Sequence, residues 1–281
     1  MPPSQFHFIS GLPRSGSTLL SALLLQNPRF HAGMSSPVAP LFGALLGQFS
    51  AGSEFGAVID QAQRRRLLSG LFHNYYADRQ QAVVFDTSRG WCARMPAIHD
   101  LFPQARVIAC VRNVAWVMDS LERIYRANPF ENTKLFHDDA ERSNVYSRVD
   151  TLALHNRLVG FAYAALKEAY YGEHASSLLL VDYDLLTQAP EKVMRLVYEF
   201  IGEPWFEHDF DHVEYDAPEF DQALGIAGLH RVKPKVAKQD RRSILPPDLF
   251  EKYARLSFWQ DGAHSAASVI RAKAGEHALS A

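Results

Sequence analysis

The chain has 281 residues, 47% hydrophobic and 21% charged, an ordinary globular balance that excludes wholesale disorder. Its 29 Lys+Arg against 31 Asp+Glu leave a formal charge of -2, which argues against a global electrostatic grip on nucleic acid or an acidic membrane. Two cysteines, Cys92 and Cys110, exclude a disulfide framework and a cysteine-built zinc site. In addition, no run reaches the ~18–20 apolar residues of a membrane span. The N-terminus lacks a basic stretch followed by an apolar one. The expectation is a cytoplasmic protein without membrane or nucleic-acid partners, its oligomeric state unread.

Residues 6–10 (FHFIS) form a short apolar run ending at Gly11, and 18–26 (TLLSALLLQ) read as an apolar helix. Between them lies LPRSGS, so the chain opens as strand, glycine turn and helix. Residues 42–49 and 61–76 read as helices, 82–85 (AVVF) and 106–111 (RVIACV) as buried strands, and 114–127 as a helix. The polar, poorly periodic stretch 128–147 reads as an insertion near a substrate mouth or an exposed loop. One long helix is expected over 151–171, a strand over 177–181, and a helix over 191–201 stopped by Gly202 and Pro204. Short, continuously apolar strands alternating with helices predict an α/β fold with a central parallel sheet and helices on both faces. We count one domain over 1–262, with the Ala-rich 263–281 as a frayed tail or peripheral helix.

The turn Gly11-Leu-Pro-Arg-Ser-Gly16-Ser17-Thr18 has the G-x4-G-x-[ST] frame of a phosphate-binding loop (P-loop), with Ser17 where a nucleotide triphosphatase has lysine. The two glycines permit inward-pointing N–H groups, and the next helix offers its positive N-terminus. Ser15, Ser17 and Thr18 add hydroxyls, and Arg14 a cation of bidentate geometry. No Walker-B-type acid follows clearly; Asp86, after AVVF, comes closest. Further on, Arg112 ends a strand and Ser120 lies two turns into the next helix, a spacing that can converge on one anion.

With these residues in hand, the chain resembles the sulfotransferase family, closest to a bacterial branch like the tyrosylprotein sulfotransferases. GLPRSGSTLL is similar to the family's 5′-phosphosulfate loop and LFPQARVIACVRNVAWVMDSL to its 3′-phosphate segment. LLLVDYDLLTQAPEKVMRLVYEFIGEPW resembles its later strand, Tyr and Gly-x-Pro-Trp turn, so the resemblance runs from Phe6 to Trp205. It implies 3′-phosphoadenosine-5′-phosphosulfate (PAPS) as donor, its product PAP, no metal, and a small-molecule or peptide acceptor. Arg14, Ser15, Gly16, Ser17 and Thr18 would hold the 5′-phosphosulfate, Arg112 and Ser120 the 3′-phosphate, and Tyr183 would line the nucleotide site. The basic stretch 229–242 offers Arg231, Lys233 and Lys235 as clamps, Lys233 first.

Two positions depart from the branch: Ser35 occupies its Glu position and Thr87 its Lys position. Arg89 is the nearby cation for the sulfuryl oxygens, and Asp86, His31 and His99 are the sequence candidates for a base, the first two preferred. Phe42, Phe49, Phe72, Tyr75 and Tyr76 could line an apolar acceptor pocket or belong to the core. A non-catalytic adenosine-nucleotide-binding protein and an ATP-dependent small-molecule kinase stand as alternatives.

Overall fold

The structure, a computed structural model, describes residues 5–50, 52–127, 135–223, 229–261, 264–272 and 279–280. Along the chain these form β1 (Gln5–Gly11), α1 (Ser17–Leu24), β2 (Phe30–Ala32), α2 (Val38–Phe49), α3 (Gln61–Tyr75), β3 (Val83–Thr87) and α4 (Met95–Leu101). β4 (Val107–Val111), α5 (Val114–Ala127), α6 (Asp139–Arg142), α7 (Val145–Ala153), α8 (Leu158–Tyr171) and β5 (Leu178–Asp182) follow. The last elements are α9 (Tyr183–Gln188), α10 (Pro190–Ile201), α11 (Pro218–Ala223), α12 (Pro247–Ala254), β6 (Ser268–Val269), β7 (Arg271–Ala272) and β8 (Leu279–Ser280).

Six strands make one sheet in the order β2-β3-β1-β4-β5-β6, and every pairing in it is parallel. The continuous apolar runs are explained by two cores rather than one. Strand side chains alternate between faces, so Phe6, Phe8, Val84, Val107, Ala109, Leu178 and Leu180 enter the core covered by α2, α3, α5 and α8. Their neighbours Ile9, Val83, Phe85, Ile108, Cys110, Leu179 and Val181 enter the other, under α1 and α10. His7 shares that second face as a buried neutral ring: its Nδ1 accepts from Arg106 N–H at 3.0 Å, and burial with nearby Arg106 lowers its pKa to about 4.

Among the differences between the sequence reading and the structure, three are instructive. The helix expected over 151–171 is two, because Leu154 is extended and Arg157 starts α8 with an ion pair to Glu141. β2 has only three residues, too few to carry a period. Finally, the stretch read as a tail contributes β6, parallel to β5, with Ile270 donating its N–H to Leu180 O at 3.1 Å. Of the aromatics weighed for an acceptor pocket, Phe42, Phe49, Phe72 and Tyr76 are buried core and Tyr75 is exposed. Part of the 128–147 insertion lies outside the described residues; within the remainder, Leu135 reaches the cavity described next.

Candidate active site

A cavity of about 1130 Å³ is lined by residues that follow the carboxyl ends of β1, β3, β4 and β5. From β1 the sheet runs to β3 and β2 on one side and to β4, β5 and β6 on the other. Such a reversal of strand order is where open α/β sheets place ligands.

The turn after β1 forms the cavity's first wall, and its two glycines are sterically required. Gly11 has φ +106°, and a Cβ there would fall 2.1 Å from Cys110 O on the neighbouring strand. At Gly16, with φ +98°, a Cβ would fall 2.7 Å from Tyr183 Cδ2. The loop therefore sits directly on the Tyr183 ring. Between them Arg14 adopts φ +58°, a left-handed conformation costing an L-residue ~1–2 kcal/mol. Its side chain holds it there: Nε donates to Ser120 Oγ at 3.2 Å and Nη1 to Leu229 O at 2.9 Å.

Ser17 opens α1, and Gly16 caps it without a side-chain bond, so the first-turn N–H groups are left for another acceptor. Ser17 and Thr18 line the cavity. Ser15 differs from expectation: its buried Oγ lies 2.5 Å from Leu12 O and 2.8 Å from Cys110 O. That hydroxyl ties the loop to β4, and Ser15 is not among the residues that line the cavity.

Arg112 and Ser120 line the same cavity, and they are not separate from the loop. The Arg14–Ser120 bond spans 106 residues and joins the two segments directly. The Arg112 guanidinium lies 4.4 Å over the Tyr183 ring and 3.8 Å from Asp184 Oδ1. It is 13% exposed, and its Nε is buried with no partner among the described residues. Thr87 Oγ1, also in the cavity wall, is likewise buried and unpartnered. Each stranded buried donor costs ~1–3 kcal/mol. Two on one cavity fit a site shaped for a polar ligand.

Arg89 lines the cavity from the turn after β3; the protein packed around it lowers its pKa by desolvation. Arg231, Lys233 and Lys235 line it from the basic segment, where Lys233 Nζ donates to Gln239 Oε1 at 2.9 Å and Lys235 pairs with Asp211 at 2.8 Å. That segment is tied down by Asp119, fully buried on α5 beside Ser120. Asp119 accepts from Arg241 at 2.7 Å, Ser243 Oγ at 3.1 Å and Ile244 N–H at 2.7 Å.

The three bases read from sequence do not reach the cavity. Asp86 is 0% exposed; its Oδ2 accepts from Ser36 Oγ at 2.6 Å and Tyr76 OH at 2.5 Å, and its Oδ1 from Trp91 Nε1 at 2.8 Å. Burial raises its pKa against the opposing pull of those three hydrogen bonds. It anchors the end of β3 to α2 and α3. His31 packs 5.5 Å from the Tyr76 ring, outside the cavity, its pKa lowered to about 4 by burial and then by Arg79. His99 stacks on His174 at 4.3 Å. Ser35 and Thr87, by contrast, do line the cavity.

Among the described residues six arginines and two lysines line the cavity, and no aspartate or glutamate does. Its one imidazole is His230, whose ring Nδ1 lies 2.5 Å from Asp221 Oδ1. Sequence reasoning missed this pair; the available signal was a histidine inside a basic run with an acidic stretch nine residues before it. No group of three or more His, Cys, Asp or Glu side chains among the described residues could hold a metal. No helix among them is long and apolar enough to cross a membrane.

The sequence and fold have known counterparts. Over 223 residues the chain is 27% identical to protein-tyrosine sulfotransferase 1 of Danio rerio, covering 74% of this chain and 56% of that one. It thus spans about half that relative's length. The fold is similar to the sulfotransferase domain from the curacin biosynthetic pathway, with TM-score 0.57 at 16% identity over 93% of this chain and 98% of that one. It is also similar to the sulfotransferase domain of the Synechococcus PCC 7002 olefin synthase, with TM-score 0.50 at 20% identity over 90% and 95%. The family model described as the sulfotransferase family matches residues 7–207, from the first buried strand to just past the Gly-x-Pro-Trp turn. That stretch carries the glycine loop, Arg112 and Ser120, and the chain belongs to the sulfotransferase family.

Proposed function

We propose that the protein moves a sulfuryl group from 3′-phosphoadenosine-5′-phosphosulfate to a hydroxyl or amine of a small molecule or peptide, without a metal, in a branch near the tyrosylprotein sulfotransferases. The observation that carries this reading is the bond from Arg14 to Ser120, which brings two distant anion-binding patterns to one cavity. The residues fit such a donor. The loop amides, Ser17 and Thr18 stand at a helix N-terminus, suited to the 5′-phosphosulfate. Arg112, with its stranded Nε, and Ser120 suit the 3′-phosphate, and Tyr183 packs the nucleotide side of the loop.

Sulfuryl transfer is an in-line displacement in which charge grows on the oxygen bridging sulfur and phosphorus. A fixed cation at that oxygen lowers the barrier, as in phosphoryl transfer. Arg14 takes this role, with Arg89 and the Thr87 hydroxyl toward the sulfuryl oxygens. Lys233 and Arg231 add positive potential along the nucleotide. Ser35 and Thr87, standing where the resembled branch has Glu and Lys, favour one second reading: a nucleotide-binding protein without turnover.

Calorimetric titration with 3′,5′-bisphosphoadenosine and 5′-AMP tests the assignment. A charge-assisted hydrogen bond is worth ~1.5–3 kcal/mol, so the bisphosphate is expected to bind about 10- to 100-fold more tightly. Arg112→Ala removes most of that preference, and Arg14→Ala removes part of it through Ser120. Equal wild-type affinity for the two nucleotides refutes the donor site, and a preference for ATP transfers the weight to a kinase.

A further inference from the structure

We propose that His230, oriented by Asp221, is the base that takes the acceptor's proton, an inference that rests on the sulfotransferase reading above. A cavity that performs this reaction needs a proton acceptor at neutral pH. The described lining contains no carboxylate, and the hydroxyls of Ser35 and Thr87 are poor bases. His230 is the one lining group with suitable chemistry.

Its setting is built. Asp221, on α11, is 0% exposed, and both its oxygens go to His230: Oδ1 to the ring Nδ1 at 2.5 Å and Oδ2 to the backbone N–H at 2.9 Å. A buried carboxylate at Nδ1 keeps the proton on that nitrogen and leaves Nε2 as the basic one. Nε2 has no protein partner among the described residues, and the imidazole remains 17% exposed on the cavity wall. The Phe220 ring packs edge-on at 5.5 Å and fixes the plane.

The position is also right for the chemistry. The residue before it, Leu229, accepts the Arg14 Nη1 bond through its carbonyl, so the imidazole stands one residue from the anchor of the cation assigned to the transferring group. Asp221 acts electrostatically on the same guanidinium. The charged groups around the ring are thus Asp221 on α11, Arg14 in the first loop, and Arg231 and Lys233 along its own segment.

In the step itself, the acceptor oxygen forms a bond to sulfur while the bond from sulfur to the 5′-phosphate oxygen breaks. The electron pair leaves with that phosphate, giving 3′,5′-bisphosphoadenosine. The acceptor's proton passes to Nε2, and the imidazolium is balanced by Asp221 until solvent removes the proton. His230 is the catalytic residue here and Asp221 a positioning residue.

The test compares wild type, His230→Asn and Asp221→Asn. Calorimetry with 3′,5′-bisphosphoadenosine comes first, and both variants are expected to keep the wild-type Kd within about threefold. Transfer from ³⁵S-labelled donor is then followed from pH 5 to 9 with water, graded phenols, primary alcohols, primary amines and a tyrosine-containing peptide as acceptors. His230→Asn should lose about 10²- to 10⁴-fold in kcat at unchanged donor KM, together with the acidic limb of the wild-type profile. Asp221→Asn should lose less in kcat, again at unchanged donor KM, because the ring stays on the cavity wall but loses its anchor and the imidazolium its counter-charge. Turnover of His230→Asn within about threefold of wild type overturns the proposal. So does loss of bisphosphate binding in both variants, which would make the pair a structural pin. A wild-type protein that binds the bisphosphate but transfers to none of these acceptors overturns it in favour of the non-catalytic reading. Absence of bisphosphate binding in wild type overturns the sulfotransferase reading itself.

Discussion

Asp86→Asn distinguishes a structural anchor from a base. The carboxylate is buried and accepts three hydrogen bonds, two at Oδ2 from Ser36 and Tyr76 and one at Oδ1 from Trp91. An amide has one oxygen. If its NH₂ replaces Oδ1, it faces the indole N–H of Trp91, which can only donate. If it replaces Oδ2, two hydroxyls must turn away and leave short contacts at 2.6 and 2.5 Å. Losing one charge-assisted bond removes ~1.5–3 kcal/mol and stranding one buried donor costs ~1–3 kcal/mol, so about 3 kcal/mol is expected. For a domain of this size each kcal/mol lowers Tm by ~2–4 °C, giving a drop of roughly 6–12 °C. The assay is a thermal melt, paired with bisphosphate titration and turnover measured well below Tm. Donor affinity should persist, because Asp86 touches none of the groups assigned to the nucleotide, and kcat should fall by less than about tenfold. An unchanged melt with turnover lost by a hundredfold or more would refute this reasoning and restore Asp86 as the base.

Other perturbations follow from single contacts. Gly16→Ala combines a strained φ of +98° with a Cβ placed 2.7 Å from the Tyr183 ring; the ring must move, and bisphosphate affinity should fall about tenfold or more in the same calorimetric assay. Arg14→Gly relaxes a φ of +58°, so urea unfolding should find stability within ~1 kcal/mol of wild type while transfer is abolished; retained turnover would sink the loop assignment. His7 is neutral when folded, with a pKa lowered to about 4, so its contribution is complete above the unfolded value of 6.5 and is lost as pH falls from there toward 4. Between pH 7 and 5 this should remove about 2 kcal/mol, read as a falling urea midpoint; a midpoint that does not move would contradict the neutral buried ring.

What could be read from the sequence was local. The strands 82–85 and 106–111 were recognisable because both of their faces are buried, which leaves a run of apolar residues with no polar interruption. The loop from Gly11 to Thr18 was legible because its glycines answer to backbone sterics, Cys110 O at one end and the Tyr183 ring at the other. The parts missed are set by distant partners. Nothing near Leu154 announces a break; the break follows from Arg157 pairing with Glu141 on another helix and lining the cavity. β6 is two residues long and exists through its pairing with β5. Asp86 looked like a site residue because it ends a strand beside the loop, but three donors from Ser36, Tyr76 and Trp91 claim it first. His230 is invisible until α11 brings Asp221 beneath it.

Carboxylates placed outside the cavity lining also explain how a chain of net charge -2 can present a wall of cations. They stand behind the lining rather than in it. Asp119 holds Arg241 and the chain at Ile244, Asp184 approaches Arg112, and Asp221 holds His230. Asp184 and Asp221 each stand behind a basic group that lines the cavity, Arg112 and His230, whereas Asp119 holds Arg241 and Ile244, which lie outside the lining. A flexible arginine or lysine gives up rotamer freedom, up to ~2 kcal/mol, when it grips an anion. Groups already held by a carboxylate have made part of that loss on folding, so their field is in place before a ligand arrives. The same acids temper the repulsion among the clustered cations, which desolvation and like charge otherwise strain; the lowered pKa of Arg14, driven first by burial and opposed by Tyr183 and Asp221, records that balance. Removing Asp119 should therefore cost more than one ion pair. Asp119→Asn should raise the Kd for the bisphosphate even though Asp119 touches no part of the cavity surface, because Arg241 and the basic segment lose their tether to α5 while Ser120 beside it stays. An Asp119→Asn protein with wild-type bisphosphate affinity would show instead that the basic segment holds its place without this tether.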